Sequence, residues 1–275
     1  MVFAIFLWEE TRIIRGMPLG STSGTRLNRR SGGTDLAQRL FDRATRLRDH
    51  GRLAQAESLY RKSLSLRKEA VGLEHPSVAD SMNCLASLLY EKERFAEAEP
   101  LYRESLELRK MMLGKEHRDV ASSLSNLANL LQSTGRHAEA RRLYLKSLRL
   151  REKAYGPRHE NVAMCMCNLA IFMQTTGRRA KAESLFKRAL KMLEGTVGSR
   201  HELTAYTKSN LADFLLLTGR PIEALPLAKE AFEDLRGTLP TGHRYVKWAG
   251  VVLKRAKEQT SPIRKNDVQK ISRAG

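Results

Sequence analysis

Residues 77–117 read SVADSMNCLASLLYEKERFAEAEPLYRESLELRKMMLGKEH, and this stretch decides the fold. Val78, Met82, Leu85, Ala86 and Leu89 recur every three or four residues. That spacing gathers them on one face of a helix. A short break follows near Glu93-Arg94. A second stripe then runs through Ala98, Leu101, Tyr102, Ser105 and Leu106. The stretch is therefore two helices and a tight turn, closed by a Gly-x-x-His segment.

The unit repeats every 42 residues. Histidines stand at His75, His117, His159, His201 and His243, and glycines at Gly72, Gly114, Gly156 and Gly198. The break reads Gly51-Arg52, Glu93-Arg94, Gly135-Arg136, Gly177-Arg178 and Gly219-Arg220. Glycine ends a helix cheaply because it enters the left-handed conformation without a Cβ penalty. Ala56, Ala98, Ala140, Ala182 and Ala224 share one slot, and Leu85, Leu127, Leu169, Leu211 and Leu253 another. The first helices are expected to be capped by Asp35, Ser77, Asp119 and Asn161, whose short side chains accept from the first turn. Leu203 breaks that series, with Thr204 as its substitute. Small residues (Ala86, Ala128, Ala170 and Ala212 against the second-helix alanines) let helix axes approach to about 8 Å. Tyr60, Tyr102, Tyr144 and Phe186 fill the next layer.

A leucine then a small residue in the first helix, with alanine then an aromatic in the second, resembles the tetratricopeptide repeat. That unit is usually 34 residues long. The 42-residue form is similar to the repeats of kinesin light chains and kinesin-light-chain-like proteins, on Ser123-Leu124-Ser125-Asn126-Leu127-Ala128, Ala96-Glu97-Ala98-Glu99-Pro100-Leu101-Tyr102 and Leu113-Gly114-Lys115-Glu116-His117. The resemblance implies an all-α tetratricopeptide-repeat α-solenoid, a right-handed superhelix of antiparallel helix pairs. The expected pairs are 35–69, 77–111, 119–153, 161–195 and 203–237, with a capping helix at 244–259, an array over 35–260 in all. Residues 1–34 read as a disordered basic leader and 261–275 as a disordered basic tail. No heptad coiled coil precedes the repeats, so a scaffold is expected rather than a motor subunit.

The charge is uneven. The chain has 275 residues, 49 basic and 30 acidic, for a net +19. Residues 119–202 alone hold 15 basic against 7 acidic. Arg141, Arg142, Lys146, Arg178, Arg179, Lys187 and Arg188 among them fall on second helices. Such a balance favours acidic partners. The Arg- and Ser-rich leader leaves organelle targeting open beside a cytoplasmic location, and Met17 is an alternative start to Met1. No apolar run approaches the roughly 18 residues that span a bilayer. Three cysteines form no closed disulfide framework and suit a reducing compartment.

Neither metal nor catalysis is expected, and no cofactor. Equivalent histidines in stacked repeats lie about 8–10 Å apart, while zinc needs its nitrogens at about 2 Å. A structural role at a helix end or a backbone carbonyl fits them better. No phosphate loop, His-Glu-x-x-His or nucleophile elbow is present.

In tetratricopeptide arrays the first helices line the concave groove. Asn126, Asn168 and Asn210 share one groove slot, and an amide offers both donor and acceptor to a peptide backbone. The expected peptide-binding residues are Ser122, Ser125, Asn126, Asn129, Gln132, Asn168, Gln174 and Asn210, with Cys84 interrupting the asparagine series. The leading reading is a non-enzymatic scaffold or adaptor that holds a partner's peptide in this groove. The second is a basic adaptor for RNA, DNA or an acidic surface, acting through the tails and the central second helices.

Overall fold

The computed structural model describes residues 30–261. Among them are eleven helices and no strand. They are α1 (Arg30–Asp49), α2 (Leu53–Val71), α3 (Pro76–Glu91), α4 (Phe95–Leu113), α5 (Arg118–Ser133), α6 (His137–Tyr155), α7 (Glu160–Thr175), α8 (Arg179–Thr196), α9 (Glu202–Leu217), α10 (Pro221–Thr238) and α11 (Arg244–Thr260). This is an all-α solenoid of helix pairs, odd-numbered helices first in each pair. α1 takes in residues 30–34 of the stretch expected to be a leader. The rest of that leader with its two candidate starts, and all of the expected tail beyond Ser261, lie outside the described residues. The chain divides into two compact units between Met192 and Leu193, within α8.

The turn between paired helices shows why glycine recurs. Gly135 sits at φ 78°. This lets the Arg136 N–H reach back to the Leu131 carbonyl at 2.8 Å, satisfying a carbonyl the helix end would otherwise leave open. Glu93 holds the same place at φ 59°, a conformation that costs a residue with a Cβ about 1 kcal/mol.

The caps correct the sequence expectation. Nδ1 of His75, His117, His159, His201 and His243 accepts the backbone N–H of Ser77, Asp119, Asn161, Leu203 and Tyr245, at 3.1–3.3 Å. Ser77, Asp119 and Asn161 therefore donate from the first turn instead of capping it, and Asp35 lies inside α1. Leu203 breaks nothing, because that slot contributes only its N–H. The histidine series is thus a set of helix caps.

In the first unit, helix pairs close on small residues. Ala86, Ala128 and Ala170 in first helices, and Ala56, Ala98, Ala140 and Ala182 in second helices, are fully buried. Tyr60, Tyr102, Tyr144 and Phe186 are fully buried beside them. Each tyrosine hydroxyl finds a partner in the preceding helix: Thr45 Oγ1 at 2.9 Å, Ser87 Oγ at 2.8 Å, and Asn129 Oδ1. The next pair holds Phe186 and Ile171 at these slots, so both polar groups disappear together. Ser63, Ser105 and Ser147 donate to the carbonyls of Ala37, Ala79 and Ala121, each at 2.7 Å.

The second unit keeps the backbone pattern and changes the chemistry. Ala228 replaces the buried aromatic of the second helix. Lys208, 5% exposed, stands on α9 where α5 has Leu124. Its Nζ donates to Glu230 Oε2 at 2.7 Å and lies 4.0 Å from Asp234 Oδ2. Arg200 approaches the same Asp234 at 3.3 Å. Asp213 pairs with Arg255 of α11. Burial still holds the Asp213 carboxyl above its usual range, against the pull of that guanidinium.

Candidate functional site

First helices present one face to their second helix and another to the next first helix. In the first unit the latter contact is stitched by side chains 43 residues apart. Arg48 Nη2 donates to Glu91 Oε1 at 2.7 Å. Asn126 Nδ2 donates to Asn83 Oδ1 at 3.2 Å, and the Tyr90 hydroxyl lies 2.9 Å from Ser133 Oγ. Gln132 Nε2 donates to Thr175 Oγ1 at 3.1 Å. Arg48, Tyr90 and Gln132 occupy one slot of the repeat, and Glu91, Ser133 and Thr175 the following one.

The eight residues expected to bind peptide divide accordingly. Ser125 and Asn129 turn inward: Ser125 Oγ meets Ser147 Oγ of α6 at 2.7 Å, and Asn129, fully buried, accepts from the Tyr144 hydroxyl. Gln132 Oε1 lies 2.9 Å from the same hydroxyl, whose single proton the two acceptors share. Ser122 is buried and donates along its own helix to Arg118 O at 3.4 Å. Asn126 spends its amide N–H on Asn83. Asn168 and Gln174 of α7 differ from these. Both are only half-buried, and the Asn168 Oδ1 has no hydrogen-bond partner. Asn210 belongs to the second unit and donates to Tyr206 O at 3.1 Å.

Sequence reading missed a buried arginine series. Arg67 and Arg109 are 5% and 4% exposed and reach out of their second helix in two directions. Arg109 Nη2 donates to Asp80 Oδ1 at 2.7 Å, and its Nη1 to Ser123 Oγ at 2.8 Å. Arg67 repeats this with Gln38 and Ser81. Arg151 continues the series, and its Nη1 donates to the Asn161 carbonyl. Burial lowers the Arg67 and Arg151 guanidinium pKa values. The 42-residue spacing of Arg67, Arg109 and Arg151 was the available signal. The series ends at Leu193, and Thr207, at the slot of Ser81 and Ser123, has a buried hydroxyl without a partner.

Second helices carry a repeated ion quartet on the outer face. At the α2–α4 junction, Arg94 bridges Glu57 at 2.8 Å and Glu97 at 2.6 Å. Arg61 approaches the same pair at 2.9 and 3.4 Å. Burial alone would raise the Glu57 carboxyl, but hydrogen bonds from Lys92, Arg61 and Arg94 outweigh it and bring the pKa down to about 2. At the α4–α6 junction, Arg136 bridges Glu99 at 2.7 Å and Glu139 at 2.5 Å, with Arg103 at 2.7 and 3.1 Å. Both carboxyls are again held below their usual range.

No group of histidine, cysteine, aspartate or glutamate among the described residues is placed to hold a metal ion. Cys84, Cys165 and Cys167 are buried free thiols. No described helix is long and apolar enough to cross a membrane.

A tetratricopeptide repeat family profile matches residues 47–111, 119–195 and 170–237, more than half of the chain. None of the curated proteins compared with it matches. Among solved structures, a Podosopora anserina kinesin light chain-type protein with nearly identical TPR-like repeats is similar at 21% identity and TM-score 0.56, over 76% of this chain and 99% of that one. BtubC (BKLC) from P. vanneervenii is similar at 21% identity and TM-score 0.56, over 79% and 95%. The apo form of RapI is similar at 16% identity and TM-score 0.60, over 86% and 81%.

Proposed function

Because the chain belongs to the tetratricopeptide repeat family, we propose that it is a non-enzymatic protein–protein interaction scaffold that holds a partner's peptide against its first helices. One observation carries the peptide reading. Asn168 Oδ1 has no partner in the protein, and Gln174 stands half-buried on the same helix. That oxygen is itself buried, so a ligand N–H reaches it only as the half-buried Asn168 side chain turns outward, and the gain is a hydrogen bond the protein leaves unmade. An extended peptide backbone supplies such donors whatever its side chains. Asn126 and Gln132 frame this position from α5, with part of their hydrogen-bonding capacity already committed to neighbouring helices. Ser122, Ser125 and Asn129 support the face more than they present it, and Asn210 belongs to the second unit.

The test is affinity capture from cell extract with wild type and Asn168→Ala/Gln174→Ala, identified by mass spectrometry. The variant loses the peptide-bearing partner while its circular dichroism stays helical. A folded variant that captures the same partner at the same yield would sink the reading.

A further inference from the structure

The outer ion quartet uses four slots, and they can be followed along the chain. They hold Glu57, Arg61, Arg94 and Glu97 at the first junction, and Glu99, Arg103, Arg136 and Glu139 at the second. The fourth set is Glu183, Lys187, Arg220 and Glu223. At the third, between α6 and α8, the slots hold Arg141, Leu145, Arg178 and Lys181. Both carboxylates are replaced by cations, and the bridging arginine is kept.

We propose that the α6–α8 junction binds an acidic protein segment whose paired carboxylates take the places that Glu99 and Glu139 hold one junction earlier. Arg141, Arg178 and Lys181 are all exposed. In the neighbouring junction the equivalent arginine holds its two carboxylates at 2.7 and 2.5 Å. Three cations at these slots repel one another unless an anion joins them, and guanidinium forks bind carboxylates with matched geometry.

The surrounding face extends the site. Arg142, Lys146 and Arg149 follow along α6 at spacings of four and three residues, and Arg188 and Lys191 occupy the equivalent slots of Lys146 and Arg149 on α8; all five are exposed. The same two slots carry Glu104 and Glu107 on α4, and Glu230 and Glu233 on α10. Within the first unit the basic field is therefore bounded by the acids of α4, which selects a short acidic tract over a long uniform polyanion. This site is distinct from the peptide face of the first helices and does not depend on it.

The experiment uses the full chain and a fluorescein-labelled Glu/Asp-rich peptide, with a Gln/Asn peptide of the same length and a single-stranded oligonucleotide as comparators. Fluorescence anisotropy is read at two salt concentrations. Wild type binds the acidic peptide, weakens with salt, and ignores the amide peptide. Arg141→Glu/Lys181→Glu writes both quartet carboxylates into this junction around the retained Arg178, with Leu145 still in the fourth slot, so its helical circular dichroism and thermal midpoint hold while peptide affinity falls by about tenfold or more. Arg141→Gln/Lys181→Gln gives a smaller loss in the same direction. Unchanged peptide affinity in both variants overturns the proposal. So does tighter binding of the oligonucleotide than of the peptide, lost in the same variants, which would assign the site to nucleic acid.

Discussion

The pairs α5–α6 and α9–α10 share one backbone plan and fill it differently. In α5–α6 the slots of Leu124 and Leu150 are apolar, 2% and 8% exposed. In α9–α10 the same slots are Lys208 and Asp234, joined by Glu230 and Arg200. In α5–α6 a buried tyrosine hydroxyl is satisfied by two amides. In α9–α10 the aromatic slot is Ala228, fully packed at 1% exposure. The alanine layer and the histidine cap are common to both. The repeat is thus specified by its closest contacts and its helix starts, while the layer between them accepts apolar, hydrogen-bonded or ionic fillings.

That contrast can be broken most severely at the ions. Glu230→Ala/Asp234→Ala leaves the buried Lys208 without a carboxylate and costs about 3 kcal/mol, read by urea unfolding. Lys208→Leu/Asp234→Leu copies α5–α6 and recovers most of that loss. If the leucine pair is as unstable as the alanine pair, the two fillings are not interchangeable. Next is Tyr144→Phe, which strands the acceptors of Asn129 and Gln132 and costs about 2 kcal/mol. Adding Asn129→Ile copies the Phe186 and Ile171 pair and returns part of it. The shared cap comes third. His117→Ala loses about 1 kcal/mol and His117→Asn loses less, measured by thermal unfolding.

The outer quartet gives the most pH-dependent effect. The Glu57 pKa is depressed from 4.5 to about 2 in the folded chain. Its stabilisation is complete above the unfolded value and is lost as pH falls from 4.5 through about 2. Glu57→Gln is accordingly less stable than wild type near neutral pH, and the gap closes toward pH 2. A constant gap across that window would contradict the depressed carboxyl.

Much of this was legible as period. The helix pairs, the alanine layer and the aromatic layer follow from spacing, because backbone geometry repeats wherever small residues repeat. In the sequence the histidines read as structural groups at a helix end or a backbone carbonyl, and the helix end is what they cap. Residue type alone assigns the cap itself to Asp119 and Asn161, because both are good capping types. Site residues were less legible for a physical reason. A first helix is covered on nearly every side, so Asn129, Asn126 and Asn168 occupy similar slots while one is sealed, one is bonded across and one has an open acceptor. Only the placement of Tyr144 and Asn83 separates them. The Arg67, Arg109 and Arg151 series was in plain view but reads as surface charge until its burial is known.

The stitching between first helices has a consequence for how such a chain grows. The bond runs from one slot in a repeat to the following slot in the next, as Tyr90 to Ser133 and Gln132 to Thr175. Both halves of the bond therefore sit side by side in one repeat, as Gln132 and Ser133 do in α5. A duplicated segment arrives already complementary to its own copy, head to tail. That is the heterologous contact of an open polymer, which has no natural end. In α9 those two slots hold Leu216 and Leu217, where α5 has Gln132 and Ser133, so this polar pairing has no donor or acceptor to offer there.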